Sequence, residues 1–447
     1  MNLISSNKYT VVIGLGVTGL SVIRYLLAQG VRVVACDSRE TPPNLAAVQQ
    51  RFPALNIQLG AFDGELLCSA HEIVISPGLS RKNPIIEQAI AAGVSVVGDV
   101  ELFARAVTAP VIAITGSNGK STVTSLVGEM AKAAGINVVV AGNIGLPVLD
   151  TLDAAIDLYV LELSSFQLES TQSLKPIAAT VLNVSADHMD RYNSFMEYAL
   201  TKQRIAFGAK TIVVNKQDPL TEPPFAEGVK RVCFSASQPD LKDFGFYDGH
   251  IAKGFKPLIA GCDLKIVGSH NYANAAAALA LAEAANIPME ACLRALAEYG
   301  GLPHRCEFVV TVNGVDFIND SKATNVGATV AALNGFADGP QNLHIILGGD
   351  GKGADFSPLI PALKRTAKTV TLIGKDAPAL AALIAQLAPE LPVANESSLE
   401  QAVASAFKQA TTGDCVLLSP ACASLDMFSS FEQRGEVFSL AARELLA

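Results

Sequence analysis

Short β-branched runs ending in glycine or serine alternate along this chain with alanine- and leucine-rich stretches at helical spacing. No other feature constrains the fold as tightly. A parallel strand cannot rejoin its neighbour through a tight hairpin; it needs a crossover of a dozen or more residues, usually a helix, and it reads as a continuous apolar run because both faces are covered. The pattern predicts an α/β protein built on mostly parallel sheets. In the first stretch YTVVIGLG (9–16), VRVVACD (31–37) and EIVIS (72–76) read as strands, with helices over 19–29 and 83–92. A second stretch runs from APVIAITG (109–116) through NVVVAG (137–142), LYVLELSS (158–165), IAATVLNV (177–184) and TIVVN (211–215) to helices over 271–285 and 289–298. Residues 216–262, richer in Pro, Gly and Asp, are expected as loops or small antiparallel strands. GGLPHR (300–305) interrupts the pattern. Beyond it EFVVTVNGVDFIND (307–320) alternates around Asn313-Gly314, a hairpin signal, and LHIILGGD (343–350), TVTLIG (369–374) and DCVLLSP (414–420) alternate with helices.

The 447 residues suffice for several domains, each burying its own core. A formal net charge of −9 argues against bulk nucleic-acid binding, which needs a basic face. No uncharged apolar run approaches the roughly 18–20 residues of a membrane span, and the start, MNLISSNKYT, has no apolar signal core. The 8 cysteines include no CxxC, so neither a disulfide framework nor a zinc knuckle is expected.

Gly14-Leu15-Gly16-Val17-Thr18-Gly19 fits GxGxxG directly after a strand and at the start of a helix, with Asp37 ending the next strand. Glycines there let backbone N–H groups approach a diphosphate, and the helix N-terminus favours its charge. Asp37 could take a ribose or a base. The nicotinamide dinucleotide of an oxidoreductase fits such a loop, as do other diphosphate-linked nucleotides; a glycine turn needed only for packing is the plain alternative. Gly116-Ser117-Asn118-Gly119-Lys120-Ser121-Thr122 says more, because it follows the apolar run VIAIT (111–115) and a helix begins at the lysine. Its backbone N–H groups can wrap a phosphate chain, Lys120 can neutralise β/γ oxygens, and a hydroxyl of Ser121 or Thr122 can ligate Mg²⁺. With Ile114 in place of the first glycine of GxxxxGK[ST], the loop is two residues shorter at its front. The segment predicts a nucleoside-triphosphate site.

Mg²⁺ takes oxygen ligands, usually one or two carboxylates beside phosphates and waters. Glu162 is the only charge in LYVLELSS, where an unpaired carboxylate is costly, and at the C-terminal end of a parallel strand it would face the phosphate loop. His188, in Asp187-His188-Met189-Asp190, stands out through its acidic neighbours and its place after a strand. Lys202, on the next helix, reads by itself as a solvated lysine.

Taken in order, TGSNGKST, ELSSFQL, DHMDR, HNYANAAAALA (270–280), LPHR (302–305) and INDSKATN (318–325) resemble the Mur ligase family of peptidoglycan precursor synthesis over essentially the whole chain. INDSKATN and LSPACASLD (418–426) are most similar to members that add D-glutamate to UDP-N-acetylmuramoyl-L-alanine, and the DNPR-type motif of members that add diaminopimelate is not found. The resemblance implies a cytoplasmic, monomeric, ATP-dependent amide ligase with small-molecule substrates, no nucleic-acid partner and no membrane association. It further implies a Rossmann-like UDP-precursor-binding domain (1–98), a central P-loop-type ATP-binding domain with a mostly parallel sheet (99–300) and a Rossmann-like, amino-acid-binding C-terminal domain (301–447) that closes about GGLPHR. Carried over position by position, Gly116 to Thr122 hold the phosphates, and Lys120, His188 and Lys202 are the catalytic positions. Ser121 or Thr122 with Glu162 would hold one Mg²⁺; Glu162, His188 and a carbamylated Lys202 would frame a second. Asn271 and Asn274 match adenine-side positions, and Arg305 and Asp320 match nucleotide contacts from the third domain, with His304 adjacent. Leu15, Gly16, Thr18, Asp37 and the Ser76-Pro77-Gly78 turn would take the UDP part, and Asn143 and His188 the sugar–alanine end. Thr324, Lys352, Ser424 and Phe431 match D-glutamate positions, with Lys322 a further candidate. A folylpolyglutamate synthase would share only the last two domains, and another Mur ligase would differ in its amino acid. A nucleotide- or redox-sensing protein would leave Glu162, Lys202 and DSKATN without a task.

Overall fold

A computed structural model describes residues 8–224, 227–266, 268–336 and 340–446. Residues 1–7, most of the start read above for a leader, lie outside the described residues. Three sheets follow one another along the chain. The first is five-stranded and parallel, in the spatial order Asn56–Leu59, Val33–Asp37, Thr10–Ile13, Glu72–Ile75, Ser95–Val97. Strand order reverses at Thr10–Ile13, so the crevice where an α/β sheet binds ligands opens at the Gly14–Gly19 turn. Neither edge strand is expected from the sequence, since NIQL is half polar and SVV only 3 residues long.

The second sheet has nine strands. Its strand Val111–Thr115 lies between Leu158–Glu162 and Ala178–Val181, parallel to both, so the 116–122 loop leaves the sheet flanked by the ends of those two strands. Thr211–Asn215 and Lys230–Phe234 continue the parallel part, and Phe244–Tyr247, His250–Lys253 and Lys256–Ala260 extend it as antiparallel hairpins. The expectation for 216–262 thus splits: Lys230–Phe234 belongs to the parallel sheet. Helix Lys120–Ala133 lies close on the sheet because Gly128 has no side chain; a Cβ there would stand 2.5 Å from Val140 Cγ2.

The third sheet has six strands, five of them parallel beside the hairpin partner Glu307–Val312. The hairpin turns at Asn313 (φ 51°) and Gly314 (φ 79°), the paired left-handed residues of a type I′ turn.

Packing departs from three separate cores. On one face, Val12, Val22 and Ile23 of the first sheet and its helix join Val100, Phe103, Val148, Leu149, Tyr159 and Leu161 in one apolar cluster. Polar ties reinforce that junction. Ser21 Oγ and Arg24 Nη2 each donate to Asp150 at 2.7 Å, and the Glu101 carboxylate accepts from the N–H groups of Gln172 (2.7 Å) and Ser173 (2.9 Å) and from Ser173 Oγ (2.6 Å). The third sheet packs its two faces into clusters of its own. Among the described residues no helix is long and apolar enough to cross a membrane, and all eight cysteines are free thiols.

Candidate active site

The phosphate loop is shaped by backbone. Gly119 takes φ +81°, and a Cβ there would lie 2.6 Å from Asn274 Oδ1, so any other residue would be strained and would displace the Asn274 side chain of the helix Ser269–Ala284. The following stretch, 183–185, staples the loop. The Ser117 N–H donates to the Asn183 carbonyl (2.9 Å), the Asn118 N–H to Asn183 Oδ1 (2.8 Å), and Ser117 Oγ to the Ser185 carbonyl (2.9 Å). The Lys120 ammonium folds back to the carbonyls of Gly116 (2.8 Å) and Ser117 (2.9 Å). Helix Lys120–Ala133 begins there with no side-chain cap on its first N–H groups, which an anion can therefore engage.

Two expectations about charge are tested by burial. Glu162 is 1% exposed at the end of its strand; Oε1 accepts from Asn143 Nδ2 at 2.7 Å, while Oε2 is buried with no partner. Lys202 is not the solvated lysine its helix suggested. It is 2% exposed, stacks over the Tyr198 ring at 4.5 Å, and donates at 2.9 Å to the Gly116 carbonyl that Lys120 also uses. Burial, and then the neighbouring Lys120 charge, holds its amine well below the usual lysine range. Burial likewise lowers Lys120, against the pull of Glu162 and Asp187. His188 takes a left-handed backbone (φ 57°), packs edge-on against Phe166 at 4.8 Å, and sits with Nε2 3.6 Å from Asp187 Oδ2. Burial and the cations Lys352, Lys120 and Lys202 push it towards the neutral imidazole, against Asp187.

Among the described residues no three His, Cys, Asp or Glu side chains gather closely enough to hold a metal by themselves. The orphaned Glu162 oxygen still fits a hard cation whose other ligands come from phosphate and water, as Mg²⁺ prefers. Ser121 is partly engaged, since its hydroxyl accepts from Arg305 Nη2 at 2.9 Å; Thr122 lines the adjoining cavity.

That cavity, about 490 Å³, lies between the second and third sheets. Asn118, Gly119, Asn271, Asn274, Arg305 and Asp320 line it, and Lys322 reaches its wall. Asp320 accepts from Ser419 Oγ (2.8 Å) and the Cys306 N–H (3.3 Å), and burial raises its carboxyl to about 7. His304 stands aside, its Nδ1 2.9 Å from Asn319 Nδ2. Lys322 lies 3.6 Å above the Phe431 ring and is lowered to about 8, by burial first and Arg305 second. Thr324 follows closely, its N–H on the Lys322 carbonyl at 2.8 Å; Ser424 is buried, and Lys352 is exposed on a left-handed turn (φ 51°).

The first segment's residues form a separate group. Gly14 takes φ +104°, and its Cβ would meet Ser76 Oγ at 2.5 Å, which ties the glycine turn to the Ser76-Pro77-Gly78 turn. Helix Val17–Ala28, carrying Thr18, starts at Gly16 without a side-chain cap. Asp37 ends its strand beside the glycine turn, as the sequence places it, and its carboxylate is engaged within the protein. Oδ2 accepts from the Leu15 N–H (2.7 Å) and Arg39 Nη2 (2.8 Å), Oδ1 from Arg39 Nε (2.9 Å), and these bonds lower it to about 2. It holds the loop and an exposed arginine.

Several residues here are absent from the sequence expectations. Arg191 donates to the carbonyls of Pro77 (3.1 Å) and Leu79 (2.6 Å), stacks over Phe166 at 4.2 Å, and so joins the first segment to the His188 loop. Arg434 is buried, with Nη1 on the Cys422 carbonyl (3.1 Å) and Nη2 on that of Ser321 (2.7 Å). Arg191 stood in the quoted DHMDR stretch; nothing in sequence marked its partners.

Known proteins match along the full chain. The model of the N-terminal domain of MurD-like Mur ligases matches residues 8–98, that of the Mur ligase middle domain 114–282, and that of the Mur ligase glutamate ligase domain 304–422. The UDP-N-acetylmuramoylalanine--D-glutamate ligase of Pseudomonas aeruginosa is 50% identical over 451 residues, covering 100% of both chains. Its counterpart in Saccharophagus degradans is 48% identical over 457 residues, again 100% of both. Among solved structures, the UDP-N-acetylmuramate-alanine ligase MurC of Thermotoga maritima aligns with a TM-score of 0.60 at 17% identity, over 98% of this chain and 99% of that one. The MurF ligase of the same organism, in complex with ADP, gives 0.60 at 16%, over 98% and 96%. Likeness at that identity speaks to the fold.

Proposed function

The chain belongs to the Mur ligase family, and from that premise we propose that it joins D-glutamate to UDP-N-acetylmuramoyl-L-alanine in an ATP-dependent reaction of peptidoglycan precursor synthesis. Supporting the reading most directly, Asn118, Gly119 and Thr122 of the phosphate loop line one cavity with Arg305, Asp320 and Lys322 of the third segment, and Arg305 Nη2 donates to Ser121 Oγ at 2.9 Å. Residues 1–98 would bind the UDP-precursor, 99–300 ATP and 301–447 the amino acid, in a cytoplasmic monomer.

The chemistry follows from a poor leaving group. A carboxylate cannot expel oxide, so a carboxylate oxygen of the precursor first attacks the γ-phosphorus of ATP, giving an acyl phosphate and ADP. The amine of D-glutamate then adds to the acyl carbon, and phosphate leaves as the amide forms. Lys120, Arg305 and the first N–H groups of helix Lys120–Ala133 stabilise the charge of the transferring phosphoryl group. His188, kept neutral by burial and nearby cations, keeps on its imidazole the free lone pair that a metal ligand needs. Lys322 and Lys352, with Thr324, Ser424 and Phe431, would receive the two carboxylates of D-glutamate. Asn271 and Asn274 would hold the adenine side and Asp320 the ribose, while Asp37 keeps Leu15 and Arg39 in place for the UDP part. Glu162 with Ser121 or Thr122 would hold one Mg²⁺, and Glu162, His188 and a carbamylated Lys202 a second; bound there, Mg²⁺ supplies neutralisation of the phosphate charge. An amine held neutral is the form that adds to CO₂, which suits Lys202 to carbamylation. A phosphate-release assay over a panel of amino acids tests the reading: release should require both the UDP-precursor and D-glutamate, and equal turnover with L-glutamate or diaminopimelate would overturn it.

A further inference from the structure

Asn325 sits where three parts of the molecule meet. It precedes helix Val326–Asn334 of the third segment and caps it, Oδ1 accepting from the Ala328 N–H at 2.9 Å. Its amide nitrogen has two hydrogens left to donate, and both leave the segment. One goes to Asn118 Oδ1 of the phosphate loop at 3.2 Å; the other goes to Asp187 Oδ2, beside His188, at 3.3 Å. Asn118 and Asp187 are themselves fixed. The Asn118 N–H donates to Asn183 Oδ1 (2.8 Å), and Asp187 Oδ1 accepts the His188 N–H (2.9 Å). The helix end is pressed against the same place: a Cβ on Gly327 would stand 2.9 Å from Ser185 Oγ and 3.3 Å from Asn118 Nδ2.

We propose that Asn325 is a positioning residue, a latch that holds Asn118 of the phosphate loop and Asp187 beside His188 to the third segment when that segment is docked, with Gly327 giving the clearance that lets it dock. A cap needs only an acceptor, and Asn325 Oδ1 serves that purpose. The outward nitrogen is superfluous to the helix and donates to both loops. Without docking, Asn118 and Asp187 lose this common partner, and Lys322 and Arg305 leave the nucleotide. The inference rests on the ligase reading above, because it assigns the latch to that reaction.

Asn325→Asp and Asn325→Ser test it. Both keep a good cap and neither keeps the two-donor amide: the aspartate has no hydrogen to give and sets a carboxylate beside Asp187, and the shorter serine has a single O–H that cannot serve both Asn118 and Asp187. Expected are an unchanged melting temperature, an unchanged KM for the UDP-precursor, which the first two segments bind, and a kcat lowered tenfold or more, as for a lost hydrogen bond to a charged partner. Small-angle scattering with a non-hydrolysable ATP analogue should show a compact wild type and more expanded variants. Gly327→Ala should expand the molecule in the same way. Variants with wild-type kcat and scattering would overturn the latch, as would a fall in melting temperature that accounts for the lost activity, the mark of a cap alone. Should the wild type fail to ligate D-glutamate, the functional reading falls while the scattering still decides the latch.

Discussion

Replacing the buried Asp320 carboxylate by an amide should stabilise the ligand-free protein, and by an amount that depends on pH. Burial raises this carboxyl from 3.8 to about 7. Between those values the folded chain keeps a proton that the unfolded chain has released, so stability falls as pH rises and the full cost is present above about 7. At about 1.4 kcal/mol per pH unit, that cost is about 4 kcal/mol. The amide introduced by Asp320→Asn would carry no charge to bury. The geometry accepts it, with the amide oxygen on the Cys306 N–H, the amide nitrogen donating to Ser419 Oγ, and the Ser419 hydroxyl turning to Thr329 Oγ1, now 3.2 Å away. The gap between variant and wild type should therefore be small near pH 4 and grow by about 3 kcal/mol between pH 5 and pH 8, or several degrees in melting temperature. Thermal melts followed by circular dichroism across that range read it directly, with no tryptophan in the chain to follow. Nucleotide affinity should fall in the same variant, because Asp320 lines the cavity. A pH-independent gap, or a variant less stable than wild type at pH 8, would refute the reasoning.

Gly119→Ala should fold but lose about 5- to 30-fold in affinity for a non-hydrolysable ATP analogue by calorimetry, since a left-handed alanine costs about 1–2 kcal/mol and its Cβ meets Asn274 Oδ1; unchanged affinity would mean the loop has room to spare. For Lys202, native mass spectrometry should find one added CO₂, and activity should fall in CO₂-free buffer and return with bicarbonate. Lys202→Ala turning over at the wild-type rate would remove the lysine from the site.

What sequence could tell was set by range. Strand and helix positions are local, and the Val111–Thr115 strand, the Asn313-Gly314 hairpin and the loop at Lys120 stand where periodicity and glycine put them. Edge strands such as the half-polar Asn56–Leu59 and the 3-residue Ser95–Val97 are too polar or too short to leave an apolar run. Charge environment is not local at all. Lys202 reads as solvated because a lone lysine on a helix is solvated by default, and only tertiary packing brings the Gly116 carbonyl to its amine. Asp37 stands at the expected strand end, yet Arg39, two residues on, folds back to occupy it, a contact no spacing rule announces. Asn325 and Arg191 exert their effect across segments, on partners 207 and 114 positions away.

The hairpins that extend the second sheet bear on a different hazard, self-association. A chain 50% hydrophobic with a nine-stranded sheet would offer any neighbouring copy a long row of unpaired backbone groups at the sheet's rim. Here one rim is Lys256–Ala260, whose first two residues are exposed, a lysine whose charge repels another copy and a proline with no N–H to donate. The register also slips between Ile251 and Ala252 beside it, which breaks the regular ladder a second strand would copy. Replacing Lys256 and Pro257 by valines would leave the active site untouched and turn a guarded rim into a template for aggregation.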